Sequence, residues 1–135
     1  MRYLLDTNAC VDYLTGRYSS VVDRLRQVSS QDVFVSSVAL AELRYGAEKS
    51  LHKRRNLDRL DAFAEEVHCL DFDLVAAAIY GRVRAGLETR GTPIGPYDML
   101  IAAQALAMRL VLVTDNVREF MRVEGLEVEN WREPQ

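Results

Sequence analysis

The sequence predicts an α/β domain built around a mainly parallel sheet. Short apolar runs such as Tyr3–Leu5 and Leu110–Val113 have the length and character of buried strands. Longer stretches such as Leu74–Thr89 and Tyr97–Met108 repeat their apolar residues with the period of an α-helix. Because strands and helices alternate along the chain, parallel strands joined by helical crossovers are the expected arrangement.

Each predicted strand is a short apolar run bounded by turn or cap residues. The strands are expected at Tyr3–Leu5, Val33–Val35, Val67–Leu70, Leu110–Val113 and Leu126–Val128. The fourth of these is the strongest, because its unbroken apolar run indicates burial on both faces.

Most of the predicted helices begin at residues that can cap them, and each carries an apolar face. The helices are expected from Asp6-Thr7-Asn8 to Gly16, from Ser19 or Ser20 to Val28, from Ser36 and Ser37 to Ala47, from His52 to Glu65, from Leu74 to Thr89 and from Tyr97 to Met108. The glycines and prolines of Gly91–Pro96 predict a rigid loop before the last helix.

Length and composition indicate one domain spanning residues 1–135. A chain of 135 residues with 49% hydrophobic content is long enough for a single core. No apolar run approaches the roughly 20 residues that cross a bilayer, so no membrane association is expected. The apolar start at Tyr3–Leu5 is too short for a signal peptide and meets Asp6 at once, which predicts a cytoplasmic protein.

The basic residues leave an RNA partner open despite the net charge of −3. Fifteen of the 17 basic residues are arginines, whose planar fork suits phosphate oxygens. Two clusters are candidates for RNA contact, although for either cluster alone a solvated helix face is the favoured explanation. The candidates are Arg54, Arg55, Arg59, Arg82 and Arg84.

Cysteine and histidine chemistry is not expected. Cys10 and Cys69 have no CxxC spacing and no nearby histidine pair, which argues against a zinc site or a disulfide framework. His52 and His68 stand alone in the sequence, so neither is a candidate catalytic base.

Two acidic residues follow predicted strands directly. Asp6 ends the run Tyr3–Leu5, and Asp115 comes just after Leu110–Val113 and Thr114. Ligands of open α/β sheets bind in the crevice outside the carboxyl ends of the strands, where two such acids can converge. The structural alternatives are a helix cap for Asp6 and a turn for Asp115.

Two further acids stand on predicted helical stripes. Asp98 begins the stripe that continues through Ile101 and Ala105. Glu42 interrupts the apolar stripe of its own helix, which consists of Val38, Ala41 and Tyr45. A carboxylate on a core-facing stripe is costly unless it is paired, protonated or bound to metal. The alternatives are a pair between Glu42 and Arg44 and a favourable helix-dipole position for Asp98.

Taken together, the four acids favour a metal-dependent reaction. Carboxylates brought into one crevice repel each other, and a divalent cation removes that repulsion. Oxygen ligands without Cys or His select Mg²⁺, with Mn²⁺ as a possible substitute, and such ions suit the cleavage of phosphate esters.

Two other classes of function compete with this hypothesis. A phosphate-receiving signalling domain also places acids at strand ends, but it needs a lysine beyond a late strand. The only lysines, Lys49 and Lys53, fall in a predicted helical region. A catalytically silent module that only binds RNA predicts salt-sensitive affinity without metal-dependent cleavage.

Four motifs carry a resemblance to a known family. They are Leu5-Asp6-Thr7-Asn8, Ser36-Ser37 with Glu42-Leu43, Pro93-Ile94-Gly95-Pro96-Tyr97-Asp98 with Ile101-Ala102-Ala103, and Thr114-Asp115-Asn116 with Glu119-Phe120. In this order and spacing, and with Trp131 near the end, they resemble a PIN domain. More narrowly, they resemble the VapC toxins of VapBC toxin–antitoxin systems.

The resemblance implies a three-layer α/β/α fold and a Mg²⁺-dependent endoribonuclease. It also implies inhibition by a VapB-like antitoxin and a homodimer within a larger toxin–antitoxin complex. The stretch from Ile94 to Asp98 resembles the group that cuts the anticodon stem-loop of initiator tRNA, so tRNA is the expected substrate.

The metal ligands carry over from the resemblance as Asp6, Glu42 and Asp98. The family's fourth position falls on Asn116, whereas the neighbouring Asp115 is acidic, so both residues stay candidates. The remaining candidates, which would support the carboxylates by hydrogen bonds, are Thr7, Asn8 and Thr114.

Overall fold

The computed structural model describes residues 1–133, so the last two positions of the predicted domain lie outside the described residues. The strands are β1 (Tyr3–Leu5), β2 (Val33–Ser36), β3 (His68–Leu70), β4 (Val111–Val113) and β5 (Val128–Glu129). The helices are α1 (Thr7–Thr15), α2 (Ser19–Gln27), α3 (Ser37–Lys49), α4 (Lys53–Glu66), α5 (Leu74–Thr89), α6 (Pro96–Met108) and α7 (Val117–Phe120), with a 3₁₀ turn at Ser30–Asp32.

Within residues 1–133 the strands form one five-stranded sheet in the order β3-β2-β1-β4-β5. Every pairing is parallel, and helices flank the sheet, which confirms the predicted α/β/α class. The chain builds outward from β1 to β2 and β3, and then returns to place β4 on the other side of β1. The strand order therefore reverses between β1 and β4, where open sheets of this kind bind ligands.

The core lies on the two central strands. Leu4 and Leu5 of β1 and Leu112 of β4 are fully buried, which agrees with the predicted burial of both faces. Helices α5 and α6 pack closely against each other, and the alanine-rich α6 buries Ile101 and Ala102 in the core. No helix within residues 1–133 is both long and apolar enough to cross a bilayer.

Local cap chemistry sets several helix ends. The Asp6 side chain accepts from the Ala9 amide at 2.8 Å and begins α1, while the Ser36 hydroxyl accepts from the Val38 amide at 2.9 Å and begins α3. Gly16 ends α1 in the left-handed conformation (φ 69°), which glycine adopts at low cost. Pro96 is the first residue of α6, a position that tolerates proline.

Two local predictions are wrong. Neither Ser19 nor Ser20 caps α2, whose preceding residue Tyr18 makes no side-chain cap; the Ser20 hydroxyl donates instead to the Arg132 carbonyl oxygen. The final strand is Val128–Glu129 rather than Leu126–Val128, because its register is set by pairing with Leu112 and Val113 of β4.

Candidate active site

The carboxyl ends of β1 and β4 bring the first two predicted acids to one edge of the sheet. Asp6 follows β1, and its backbone amide donates to the Val113 carbonyl oxygen of β4 at 3.1 Å. Asp115 lies two residues beyond Val113, so both acids stand at the point where the strand order reverses. The predicted convergence of these two strand ends is therefore confirmed.

Asp6 is a buried carboxylate, with only 4% of its surface exposed. Besides capping α1, it shares a hydrogen bond with the Thr114 side chain. Burial raises the pKa of Asp6 to about 7, and the nearby carboxylates of Asp115 and Asp98 add to the rise. The helix-cap interpretation of Asp6 is therefore correct, but a cap alone does not explain a carboxylate held in this environment.

Asp98 occupies the first turn of α6 and is half-buried. Burial raises the pKa of Asp98, and the charges of Glu119, Glu42 and Asp115 raise it further. These interactions place Asp98 within electrostatic reach of acids from several different elements. Its stripe faces the core as predicted, since Ile101 and Ala105 are fully buried.

Glu42 reaches the same edge from α3 and is held by α1. The Thr7 hydroxyl donates to Glu42 Oε1 at 2.7 Å, a contact across 35 positions of sequence. The predicted stripe through Glu42 does not face the core, because Ala41 is exposed and Tyr45 is 64% exposed. The buried residues of α3 are instead Ala39, in the main core, and Ala47, in a smaller cluster against α4. Glu42 itself is only partly buried.

Glu42 also lies between two surface grooves. One runs between α1, α3 and α4 and is lined by apolar side chains together with Arg59. The other runs between α3 and α6, with Tyr45 and Tyr97 on its walls. Glu42 is therefore the acid through which these two grooves meet, whereas Asp6, Asp98 and Asp115 line neither of them.

The two candidates for the fourth position are bound to different neighbours. Asp115 Oδ1 accepts from Asn8 Nδ2 at 3.2 Å, and its Oδ2 accepts from the Arg132 guanidinium at 3.0 Å. The Asn116 side chain donates to Glu119 Oε2 at 2.8 Å, while its backbone amide donates to the Thr114 hydroxyl at 3.0 Å. Thr7, Asn8 and Thr114 thus hydrogen-bond acidic residues, while their role in supporting a metal site stays a prediction.

Three residues at this edge were not selected from the sequence. Glu119 stands one turn beyond Asn116 on α7, and this local spacing is a signal that could have found it. Asp12 and Arg132 form an ion pair 120 positions apart in the chain. No local pattern marks a contact of that range.

The predicted arginine clusters lie on exposed helix faces. Arg54 pairs with Asp58 at 3.8 Å, and Arg84 donates to the Tyr80 hydroxyl at 2.9 Å. Of the five candidates, only Arg59 lines a groove that also contains Glu42. RNA contact by Arg54, Arg55, Arg82 and Arg84 stays a prediction.

The donor set fits a hard divalent cation. Its oxygens come from Asp6 after β1, Glu42 in α3 and Asp98 in α6, and burial with mutual repulsion raises the pKa values of Asp6 and Asp98. Glu42 accepts a hydrogen bond from Thr7. Within residues 1–133, no three His, Cys, Asp or Glu side chains are grouped closely enough to hold a metal ion. A cation would relieve the repulsion that these side chains experience.

Comparison with known proteins identifies the class of protein to which this chain belongs. The family model of the PIN domain matches residues 3–126. Among solved structures, DNA-bound VapBC from Salmonella typhimurium has a TM-score of 0.91 at 41% identity, covering 97% of this chain and 98% of that chain. FitAcB from Neisseria gonorrhoeae has a TM-score of 0.90 at 30% identity, covering 98% and 99%. Fold and site together define a PIN-domain nuclease, a class that uses a divalent metal.

Curated relatives narrow the assignment. The tRNA(fMet)-specific endonuclease VapC of Salmonella typhimurium is 41% identical over 131 residues, which cover 97% of this chain and 98% of the relative. Ribonuclease VapC2 of Rickettsia felis is 39% identical over 132 residues with the same coverages. The chain therefore belongs to the VapC ribonucleases of the PIN-domain family. This membership excludes the alternative that the chain is a phosphate-receiving signalling domain.

Proposed function

We propose that this chain is a Mg²⁺-dependent endoribonuclease toxin that cleaves tRNA, with Mn²⁺ as a substitute ion. The observation that carries the proposal is the gathering of carboxylates from separate elements at one sheet edge. Asp6 is the most deeply buried of them, and its pKa is raised to about 7. An environment this unfavourable to negative charge suits a group whose partner is a cation.

Asp6 and Asp98 would hold the principal metal ion, and Glu42 would complete the ligand set directly or through water. When bound, the ion would polarise the phosphoryl oxygen, activate a water molecule and stabilise the leaving oxyanion. Asp6 follows β1, Asp98 lies in α6 and Glu42 lies in α3, so three separate elements would supply the ligands.

The neighbouring polar residues orient the carboxylates. Thr7 fixes Glu42 Oε1, which leaves the second carboxylate oxygen available to orient the attacking water. Thr114 performs the corresponding task for Asp6, and Asn8 does so for Asp115. Asp115 and Asn116 act as supports of the site, and loss of such supports commonly costs about 10- to 100-fold in metal affinity or activity.

The substrate proposal rests on the relatives and on the motif before α6. A relative 41% identical to this chain is named for cleavage of tRNA(fMet), so we propose the anticodon stem-loop of initiator tRNA as the target. Arginines would hold the phosphate backbone. Arg59 lines a groove that also contains Glu42, and the other candidates, on exposed helix faces, are Arg54, Arg55, Arg82 and Arg84.

The proposed partners and location are inferred from similar proteins. The similar solved structures from Salmonella typhimurium and Rickettsia felis are of VapBC, so we propose a VapB-like antitoxin as the inhibitor and a homodimer within a larger toxin–antitoxin complex. The site of action would be the cytoplasm, where tRNA is found. We also propose that residues 1–135 form one nuclease domain, a proposal supported by the match over 3–126.

The proposal is tested by mapping new 5′ ends in total RNA after brief expression of the chain. The comparison is with Asp6→Ala and with Asp71→Ala, an exposed acid outside the site. We expect one dominant cut in the initiator tRNA for the parent chain and Asp71→Ala, and none for Asp6→Ala. Equal cleavage by Asp6→Ala would overturn the metal-site assignment, whereas RNA binding without cleavage by the parent chain would favour the silent RNA-binding module.

A further inference from the structure

Several contacts hold the backbone around Arg132 in place. The preceding Trp131 is 3% exposed, and its ring packs edge-on against Tyr3 of β1 at a centroid distance of 5.1 Å. The Arg132 amide donates to Asn130 Oδ1 at 3.0 Å, and its carbonyl oxygen accepts from the Ser20 hydroxyl at 2.9 Å. The core and α2 therefore fix the backbone from which the guanidinium projects.

The guanidinium joins two carboxylates. Its Nε and one terminal nitrogen donate to the two oxygens of Asp12 at 2.6 and 3.0 Å, and its other terminal nitrogen donates to Asp115 Oδ2 at 3.0 Å. The Tyr18 ring lies below the guanidinium, with 4.2 Å between the guanidinium carbon and the ring centroid. This bidentate, stacked geometry suits arginine and not lysine.

The consequence for Asp115 is that both of its oxygens are occupied by protein donors, Asn8 on one and Arg132 on the other. Yet Asp115 remains close enough to Asp6 and Asp98 to raise the pKa of each. Asp115 is thus an acid of the carboxylate edge whose oxygens are directed to neighbouring side chains.

We propose that Arg132 is a positioning residue that withholds Asp115 from the metal and so sets the number of carboxylates available to bind it. The inference rests on the proposed metal site. It assigns the C-terminal residues Asn130–Arg132 a role at the active site, and it accounts for an acidic residue beside Asn116 without making that residue a ligand.

Two explanations of Arg132 make different predictions for metal affinity. If Arg132 contributes only its positive charge, removing the Asp115 charge weakens metal binding by the same factor whether Arg132 is present or absent. If Arg132 withholds Asp115, the carboxylate becomes a ligand only after Arg132 is removed, and the two substitutions are strongly coupled.

The experiment uses an Asp12→Asn background. Asp12 is 3% exposed, and removal of Arg132 alone would leave its buried charge without a cation. In this background Arg132→Gln and Asp115→Asn are made singly and together. Mn²⁺ binding to each metal-free protein, without RNA, is measured by calorimetry and by the electron paramagnetic resonance of free Mn²⁺.

We expect Asp115→Asn to weaken Mn²⁺ binding by about threefold while Arg132 is present, the effect of losing one nearby charge. With Arg132→Gln the same substitution should weaken binding by on the order of thirtyfold, because a ligand is lost as well. Equal factors in the two backgrounds would overturn the proposal and leave a charge effect only.

A second measurement keeps the proposal testable if the variants lacking Arg132 do not fold. Asp115→Asn in the parent chain leaves the pair between Arg132 and Asp12 in place, and a loss of Mn²⁺ affinity above about tenfold would show that Asp115 is already a ligand. Asp6→Asn is the control for the metal site itself. Unchanged Mn²⁺ binding in Asp6→Asn would reject the proposed metal site, whereas failure of the coupling alone would reject only the role of Arg132.

Discussion

Replacing Asp6 by asparagine should make the metal-free protein more stable while it abolishes cleavage. Asparagine keeps the oxygen that accepts from the Ala9 amide, so the cap of α1 survives. The substitution removes the negative charge of the Asp6 carboxylate, which is unfavourable in a buried position. The pKa of Asp6 is raised from 3.8 to about 7, and each pKa unit corresponds to about 1.4 kcal/mol. The ionised carboxylate therefore costs the fold about 4 kcal/mol at pH 8.

The sign of the effect follows from proton binding. Between pH 4 and pH 7 the folded protein binds the Asp6 proton more tightly than the unfolded chain, so stability falls as the pH rises through this window. The advantage of Asp6→Asn should be about 4 kcal/mol at pH 8 and about 2 kcal/mol at pH 5. Added Mg²⁺ should reduce the stability advantage of Asp6→Asn at pH 8, because the ion binds and stabilises only the parent chain.

The assay is urea unfolding in EDTA at both pH values. With an m-value of about 2 kcal/mol/M, the midpoint of Asp6→Asn should exceed that of the parent chain by about 2 M at pH 8. The exposed acid Asp71 offers a matched control, since Asp71→Asn should leave the midpoint nearly unchanged. A less stable Asp6→Asn protein at pH 8 would refute the argument from burial.

Three further outcomes are expected. Thr7→Val, which removes the donor to Glu42 Oε1, should slow RNA cleavage by about 10- to 100-fold at saturating Mg²⁺; a rate within about twofold of the parent would exclude a positioning role. Ser36→Ala should lower the free energy of unfolding by about 1 kcal/mol in urea titrations without changing cleavage, because only the cap of α3 is lost. An inhibiting antitoxin should place an arginine or lysine beside Asp98, and a structure of the complex with that pocket empty of antitoxin cations would contradict the expectation.

The sheet could be predicted from the sequence because its signals are local. An unbroken apolar run such as Val111–Val113 must be buried on both faces, and a parallel strand with helical crossovers is the usual way to bury it. The predicted position of β5 was wrong by one or two residues, since β5 is short and its place depends on pairing with β4.

The helix face of Glu42 shows a limit of periodicity. Val38, Ala41 and Tyr45 have the spacing of an apolar stripe, but Ala41 and Tyr45 are exposed, and the buried residues of α3 are Ala39 and Ala47. Both buried residues are small, while Ala41 and Tyr45 line a groove open to solvent. Hydrophobic spacing identified the helix correctly but did not identify which face the core would take.

Some features of the candidate site could likewise be predicted from local sequence, and others could not. Asp6 follows a strand and Asp98 lies in the first turn of a helix, so the neighbouring residues in the sequence were enough to infer where each acid lies. The contacts of Arg132 with Asp12 and Asp115 join the two ends of the chain, and they depend on Trp131 entering the core beside β1. Only the folded structure brings these groups together.

The central claim is that these carboxylates make the chain a metal-dependent ribonuclease. The most direct test is cleavage of a 5′-labelled initiator tRNA transcript by the purified chain, with Mg²⁺ or EDTA, beside Asp98→Asn. We expect a single cut with Mg²⁺, none with EDTA, and a rate at least about 100-fold lower for Asp98→Asn. Cleavage that continues in EDTA, or proceeds at the parent rate in Asp98→Asn, would contradict the account.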